Sequence, residues 1–301
     1  MNTLAVLSNE NKEFYNKTLL KRLVENCKFL EYGQKKSAPK HEGDTMNFRR
    51  FESLPVPTEA LTEGVTPDGS SLNVTKINAT VKQYGDYVTI TDKLNLMGID
   101  PVLTEAAEVL GEQAALTIDN TVKDIIFAGT NVRYAGEATS RSALTADSVI
   151  TGADVKKAAR DLKVAKVKPL KDGFYLGFID ASCAYDLMND PLWQDVSKYN
   201  GGTAIMKGEI GKIHGVRFVD INNPYVVEEG SVEVHGTLII GKDAYGIVDV
   251  EGSSKPEMII KPEGSGNDPL NQRATAGWKA LLTAVRLQEL AMVRIESAVT
   301  E

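Results

Sequence analysis

The sequence predicts a mixed α+β protein that associates with other chains. Three patterns support this prediction. An extended arm spans residues 44–92, a long helical stripe follows at about 101–128, and residues 144–250 alternate between helical and strand patterns, as in a separate α/β unit. The arm is the most informative of the three because it is longer than the body that carries it.

The arm is predicted to be a β-hairpin. Its outgoing strand is Thr45–Glu52, and its returning strand is Val74–Thr91, where apolar and polar side chains alternate. At about 3.3 Å per residue the returning strand would span roughly 60 Å, whereas a compact chain of this length has a diameter of about 50 Å. The strand therefore either bends at Gly85 or leaves the body. Because an isolated hairpin is marginally stable in water, we expect the arm to lie on a neighbouring chain.

Two helices are predicted on either side of the arm. Residues 12–30 carry an approximate apolar stripe, and we interpret residues 1–43 as an arm that docks on another surface. After the hairpin, Asp100 suits the N-cap, Pro101 suits the first helical position, and Gly129 marks the end. About 28 residues at 1.5 Å each give a helix of roughly 42 Å, with apolar residues, Val109 among them, on its buried stripe.

The remaining elements follow from shorter signals. Thr151, with Asp154 three residues later, resembles a capping box at the start of a helix. Residues 273–298 fit either a helix or two antiparallel strands joined by a turn at Gln288–Glu289, and strand is favoured near the end. Further predictions are strands at 174–179, 216–221, 237–240 and 257–261, a short helix at 182–188, a glycine-rich surface loop at 201–215, and a solvated turn at Glu228–Glu229.

Composition indicates an ordinary chain with ample core. A quarter of the residues are charged and 42% are hydrophobic. No apolar run approaches the ~20 residues needed to cross a bilayer, and the N-terminus lacks the basic and apolar regions of a signal peptide. Cys27 and Cys183 lie far apart without metal-type spacing, which predicts reduced structural thiols and cytosolic synthesis.

The net charge of −7 argues against a dedicated nucleic-acid-binding protein. The charge is uneven, since residues 1–50 carry ten Lys/Arg and six Asp/Glu, a net of +4, and the rest of the chain carries −11. A basic N-terminal part suits contact with nucleic acid or with an acidic partner. The favoured interpretation is a solvated arm or one packed against another subunit.

No sequence pattern of a catalytic centre is found. Gly-x-Ser-x-Gly, His-Glu-x-x-His and P-loop motifs are absent. His41, His214 and His235 are isolated and lack metal-ligand spacing, so we interpret each as a structural or surface histidine. Cys183 has no base adjacent in sequence, which argues against a nucleophile. We therefore predict no enzyme activity, no cofactor and no metal site.

Several long and uncommon strings occur in order along the chain. They are Leu61–Gly69, Ala79–Thr91, Asp100–Ala106, Leu110–Gln113, Ala184–Pro191, Gly208–Phe218, Asp268–Thr275, Gly277–Lys279 and Val293–Ala298. Together they resemble the N4-type family of tailed-phage major capsid proteins. The resemblance covers nearly the whole chain, and only the first forty-odd residues match weakly.

The resemblance implies the Hong Kong 97-type capsid fold, an α+β architecture. On this sequence it assigns residues 1–43 to an N-terminal arm and 44–92 to the extended β-hairpin called the E-loop. It assigns 93–143 to a peripheral domain with a long spine helix, 144–250 to an α/β axial domain, and 251–301 to a return to the peripheral domain. The implied function is structural: the chain self-assembles into pentamers and hexamers of the icosahedral head of a tailed double-stranded DNA bacteriophage or prophage.

Candidate assembly contacts lie on the E-loop. Apolar side chains between prolines at its tip are expected to dock on an adjacent subunit, because prolines reduce the entropy lost on docking. The predicted contact residues are Arg49, Arg50, Leu54, Val56, Leu61, Val65, Tyr84, Gly85 and Tyr87.

The resemblance also implies partners and a location. Portal and scaffolding proteins are the expected partners, with a decoration protein as a further one, and the subunit resides in the virion after synthesis in the bacterial host cytoplasm. The shell would enclose double-stranded DNA without sequence-specific binding and without a membrane, and an acidic body suits this because phosphate affinity scales with Lys/Arg contacts. Two alternatives stay open: the shell protein of an encapsulin-like nanocompartment, and a soluble α/β enzyme.

Overall fold

A computed structural model describes residues 27–39, 43–97, 102–170, 173–193, 209–230, 232–250, 256–262 and 270–300, apart from eight positions between 53 and 68. The helices are α1 (Phe29–Tyr32), α2 (Asp92–Met97), α3 (Val102–Phe127), α4 (Gly152–Val164) and α5 (Ala181–Asn189). The strands are β1 (Gln34–Ala38), β2 (Thr45–Phe51), β3 (Val74–Thr80), β4 (Lys82–Thr91), β5 (Val132–Tyr134), β6 (Tyr175–Ile179), β7 (Glu209–Ile213), β8 (Val216–Asp220), β9 (Tyr225–Glu229), β10 (Val232–Ile240), β11 (Tyr245–Val250), β12 (Glu257–Lys261), β13 (Arg273–Arg286) and β14 (Met292–Ser297).

Helix α3 confirms the long helix predicted after the arm. Its 26 residues correspond to about 39 Å at 1.5 Å per residue. The buried face includes Leu110, Gly111, Ala114, Ile118 and Val122, and it packs against β13, β4 and α1. Small residues on this face allow the helix to lie close to the sheet.

The first sheet has five strands in the order β1-β11-β13-β12, with β4 also paired to β13. Its central strand, β13, has 14 residues and pairs antiparallel with β4, β11 and β12. Strand β1 pairs parallel with β11 and was not predicted, because four of its five side chains are exposed and polar. This sheet joins the N-terminal, arm and tail segments.

The second sheet has seven strands in the order β5-β14-β10-β6-β8-β7, with β9 paired to β10. Strands β6 and β14 are buried at every position, so they form its core. Strands β6 and β8 are parallel, which places the residues that follow them, starting with Asp180 and Ile221, at the same edge. The tail prediction was wrong in one respect, since β13 and β14 lie in different sheets and do not pair with each other.

The hairpin of β2 and β3 forms a two-stranded sheet of its own, paired from Thr45 with Thr80 to Phe51 with Val74. The chain changes partner at Val81, after which β4 pairs with β13. The N–H of Val81 donates to the carbonyl of Asp44 at 2.8 Å and closes the base of the hairpin. The predicted bend at Gly85 was wrong, because Gly85 lies inside β4.

Most other local predictions were confirmed. The Thr151 hydroxyl accepts from the N–H of Asp154 and caps α4. The predicted strands at 174–179, 216–221, 237–240 and 257–261 correspond to β6, β8, β10 and β12, and the short helix to α5. Two predictions were wrong, because 209–213 is strand β7 rather than loop and Glu228–Glu229 ends strand β9. Residues 1–26 and 194–208, with most of the predicted N-terminal helix, lie outside the described residues.

Within the described ranges, no helix combines the length and apolar character that a membrane span requires.

Candidate assembly surface

The base of the hairpin is held on the body by one aromatic side chain. Phe48 on β2 is buried in a small cluster with Ala38, Ala79, Val248 and Leu287. Its ring occupies the space beside Gly246, where an added Cβ would lie 2.6 Å from the Phe48 Cζ atom. Because Gly246 has no side chain, the Phe48 ring packs directly against its backbone. This contact fixes where the hairpin leaves the body.

Polar contacts surround this aromatic anchor. The Arg50 guanidinium donates from Nη1 to the carbonyl of Leu287 at 3.2 Å. Lys36 donates from Nζ to the carbonyl of Asn47 at 2.7 Å and lies 5.3 Å from the centre of the Phe48 ring. Between the hairpin and β1 lies a groove of about 850 Å³. The hairpin is therefore anchored at its base and separated from the body beside it.

The outer part of the hairpin presents apolar side chains to solvent. Phe51, Leu54, Val56 and Leu72 are all exposed, with Val56 at 78%. Large apolar side chains exposed together in one short segment favour an interaction site there. Leu61 and Val65, two further predicted contacts, lie outside the described residues.

The other predicted contact residues divide into two groups. Arg49 and Tyr87 are exposed, with Tyr87 at 67%. Tyr84 packs against the main core, and at Gly85 an added Cβ would lie 2.6 Å from the carbonyl oxygen of Trp278. Tyr84 and Gly85, like Arg50, therefore contact their own subunit.

Next to Gly85, a polar chain connects β4, α3 and β13. Asp86 accepts from Gln113 Nε2 at 2.6 Å and from the N–H of Tyr87 at 2.8 Å. Gln113 Oε1 accepts from the Trp278 indole at 3.1 Å. The hydrogen bond from Gln113 lowers the pKa of Asp86 most, and the hydrogen bond from the N–H of Tyr87 lowers it further. They fix the strand from which the hairpin projects.

A second exposed apolar surface lies on α2 and α3 and was missed in the sequence. It comprises Leu94, Leu96, Met97, Val109 and Leu116. Val109, which the helical stripe predicted to be buried, is 63% exposed. The spacing of Val109 and Leu116, seven residues apart on one helix face, is the signal that could have identified it.

Residues 27–32 dock on α3 through a buried acid. Asp119 is 2% exposed, and burial raises its pKa to about 6. Hydrogen bonds from Asn223 and from the N–H of Phe29, and the charge of Lys123, lower this pKa but do not offset the effect of burial. The carbonyl of Phe29 accepts from the Tyr245 hydroxyl at 2.6 Å. The Phe29 ring packs edge-on against Phe127 and Phe178. The N-terminal segment is thus part of the core of its own subunit.

A buried ion-pair network closes the second sheet at β14. Glu296 is fully buried and accepts from Arg141 Nη2 at 2.6 Å and Nε at 2.8 Å. Arg294 Nε lies 2.9 Å from the same carboxylate, and its guanidinium lies 5.2 Å from the centre of the Tyr225 ring. The hydrogen bonds that Arg141 donates to Glu296 raise the pKa of Arg141. Two cations on one carboxylate stabilise a charge that burial would otherwise penalise.

The structure also brings together Asp180, Cys183 and His235, which sequence spacing did not connect. His235 Nδ1 lies 2.8 Å from Asp180 Oδ2, so the imidazole is hydrogen-bonded to the carboxylate and not to the thiol. Burial raises the pKa of Cys183. A buried thiol with a raised pKa is not an activated nucleophile.

Together, these features describe a two-sheet body with a separate hairpin and exposed apolar side chains. The family model described as "Phage capsid protein" matches residues 74–295. The chain belongs to this phage capsid protein family. Among curated proteins, no sequence matches the chain.

Solved structures agree with the family at the level of fold. The capsid of Ralstonia phage GP4 superposes with a TM-score of 0.69 at 12% identity, covering 89% of this chain and 87% of that one. The head structure of Helicobacter pylori bacteriophage KHP40 gives 0.68 at 12% identity, with 88% of each chain covered. A virus-like particle from Pyrococcus furiosus gives 0.56 at 11% identity, covering 95% of this chain and 99% of that one.

The chain thus has the Hong Kong 97-type capsid fold. It is a major capsid protein, a structural component of the virion that self-assembles into capsid oligomers.

Proposed function

We propose that this chain is an N4-type major capsid protein whose pentamers and hexamers form the icosahedral head of a tailed double-stranded DNA phage or prophage. The observation that carries the proposal is the hairpin β2–β3, which is anchored at Phe48 and exposes apolar side chains beyond its base. The ordered strings that resemble the N4-type family support the finer assignment.

We assign five parts to the subunit in this proposal. Residues 1–43 are the N-terminal arm, 44–92 the E-loop, 93–143 the peripheral domain with α3 as its spine helix, 144–250 the axial domain, and 251–301 the return to the peripheral domain. The separate two-stranded sheet of β2 and β3 and the length of α3 support this division.

The E-loop acts as a clamp in this account. Leu54, Val56, Leu61 and Val65 at the tip, with Arg49 and Tyr87, contact a neighbouring subunit. Arg50, Tyr84 and Gly85 act indirectly, because their contacts with Leu287, the core and Trp278 hold the hairpin in the orientation that reaches the neighbour. Many modest interfaces repeated by symmetry give the closed shell its stability.

Further partners follow from this role. Portal and scaffolding proteins, and a decoration protein, are the expected partners of the shell. The subunit is made in the host cytoplasm and the shell encloses double-stranded DNA without reading its sequence. The net charge of −7 supports weak DNA contact, because affinity for DNA rises with the number of phosphates that Lys and Arg neutralise.

A nanocompartment shell is the alternative with an observation in its favour, the match to the virus-like particle from Pyrococcus furiosus. The phage interpretation is preferred because the family model is a phage capsid protein and because the capsids of phages GP4 and KHP40 superpose with higher TM-scores than that particle.

Deletion of residues 55–71 tests the clamp. The wild-type chain and the deletion variant, with a short Gly-Ser linker in place of the tip, are expressed and examined by electron microscopy and size-exclusion chromatography. We expect closed particles from the wild type, and only capsomers or smaller species from the variant, which retains the anchor at Phe48. Closed shells of normal size and stability from the deletion variant would contradict the clamp.

A further inference from the structure

One end of the second sheet gathers three side chains that bind metals in other proteins. Asp180 directly follows β6, Cys183 lies in the first turn of α5, and His235 lies on β10. One ligand atom from each lies within 4.8 Å of the other two, and all three residues are buried. Two strands and a helix therefore converge on a single enclosed point that supplies oxygen, sulfur and nitrogen.

Unpaired polar atoms mark the same point. Asp180 Oδ1 and Thr237 Oγ1 have no hydrogen-bond partner among the described residues. The Asp180 side chain is 5% exposed and Thr237 is fully buried, and both side chains lie beside the Cys183 thiol. Because buried polar atoms in native proteins are almost always paired, orphaned oxygens directed into a Cys/His/Asp cluster indicate a ligand there.

We propose that Asp180, Cys183 and His235 bind a zinc ion. Zinc takes this combination of carboxylate oxygen, thiolate sulfur and imidazole nitrogen, and magnesium and calcium prefer oxygen alone. One carboxylate and one thiolate balance the charge of the ion, so no net charge is left in the core. Asp180 Oδ1 and Thr237 Oγ1 are the two unpaired oxygens available for the fourth coordination position of the zinc ion.

The geometry needs only small movements. Zinc bonds of about 2.0–2.3 Å in a tetrahedron place ligand atoms roughly 3.3–3.7 Å apart. To admit the ion, His235 Nδ1 and Asp180 Oδ2, now 2.8 Å apart, would move slightly further from each other. The most widely separated pair of ligand atoms, at most 4.8 Å apart, would move closer together. Cys183 gives up its thiol proton on binding.

The surroundings of the imidazole suit a metal ligand. His235 presents Nδ1 to the cluster, and its Nε2 lies 3.5 Å from Glu233 Oε1. An imidazole that binds a metal through one nitrogen commonly donates its other N–H to a carboxylate, which orients the ring. The 3.5 Å contact is longer than a well-formed hydrogen bond, and His235 Nε2 has no hydrogen-bond partner among the described residues, so Glu233 is the carboxylate near this nitrogen and not yet bonded to it. The bound ion would link β6, α5 and β10 inside the subunit.

Metal content and a cobalt spectrum test the site in the full chain. Wild-type protein is produced in medium supplemented with Zn²⁺, or with Co²⁺ in its place, and extensively dialysed. We expect about one metal ion per chain by mass spectrometry, and a thiolate-to-cobalt charge-transfer band in the Co²⁺ protein. Substoichiometric zinc, or bound cobalt without a thiolate band, would overturn the proposal.

Matched variants locate the metal. Cys183→Ser and His235→Gln are expected to lose the bound ion and the band. Cys27→Ser, which changes the other buried thiol beside Ala115 on α3, is expected to keep both. Retention of metal by Cys183→Ser would refute the assignment, and if that variant fails to fold, the wild-type cobalt spectrum still decides.

Discussion

Asp119→Asn should stabilise the subunit, and the gain should grow with pH. Asp119 lies on α3 beneath the N-terminal segment, and burial raises its pKa from 3.8 to about 6. A difference of about two pKa units corresponds to roughly 3 kcal/mol at about 1.4 kcal/mol per unit. The charged carboxylate therefore costs the folded state free energy that the neutral amide does not.

The sign of the pH dependence follows from proton binding. Between pH 3.8, the ordinary pKa, and about 6, the folded state holds the Asp119 proton more tightly than the unfolded state does. The stability contributed by the neutral acid is fully present below this window and is lost as the pH rises through it. Above about pH 6 the wild type carries the whole penalty, whereas the asparagine variant carries none at any pH.

Urea unfolding followed by tryptophan fluorescence measures the effect. The free energy of unfolding of Asp119→Asn minus that of the wild type should rise by roughly 2.5 kcal/mol from pH 4 to pH 7. Any constant cost of the amide cancels in this difference. Asp124→Asn, at an exposed position of the same helix, is the control and should shift stability by less than about 0.5 kcal/mol. A pH-independent difference for Asp119→Asn would refute the reasoning.

Three further predictions concern the hairpin and the second sheet. Phe48→Ala removes the anchor of the hairpin and should speed hydrogen exchange in β2 and β3 while leaving α3 protected; unchanged exchange in the hairpin would argue against the anchor. Gly85→Ala places a Cβ 2.6 Å from the Trp278 carbonyl oxygen and should cost about 1–3 kcal/mol in urea unfolding, whereas Thr89→Ala, at an exposed position of β4, should cost little; equal effects would contradict this. Glu296→Gln leaves two guanidinium groups facing a neutral amide and should cost about 3–5 kcal/mol in urea unfolding, and a loss below about 1 kcal/mol would show that the network is not stabilising.

Elements with strong local signals could be predicted from the sequence. Helix α3 follows from its apolar repeat, and the start of α4 follows from Thr151 and Asp154, because both signals act within a few residues. The hairpin pairing follows from the alternation in β2 and β3.

The errors concern pairing partners, which local sequence does not determine. Residues 74–91 form one alternating run, but the chain leaves β2 for β13 at Val81, and that change depends on a strand nearly two hundred residues away. The same reason explains why β13 and β14, close in sequence, belong to different sheets. Strand β1 has exposed polar side chains and is fixed only by its partner β11.

The buried polar clusters could not be found from spacing. Cys183 and His235 are brought together by the pairing of β6 with β10, and Glu296 on β14 meets Arg141 from the segment between β5 and α4. Val109 was assigned to the buried stripe because it is apolar, yet it lies on the outer face of α3. An apolar residue on an exposed face follows the same local pattern as a core residue until the neighbouring elements are known.

Cryo-electron microscopy of the purified full-length chain tests the central claim most directly. The account predicts closed icosahedral particles of pentamers and hexamers, in which density for the hairpin of each subunit lies across an adjacent subunit. Particles in which the hairpin folds back on its own subunit, or a protein that forms only small oligomers, would contradict it.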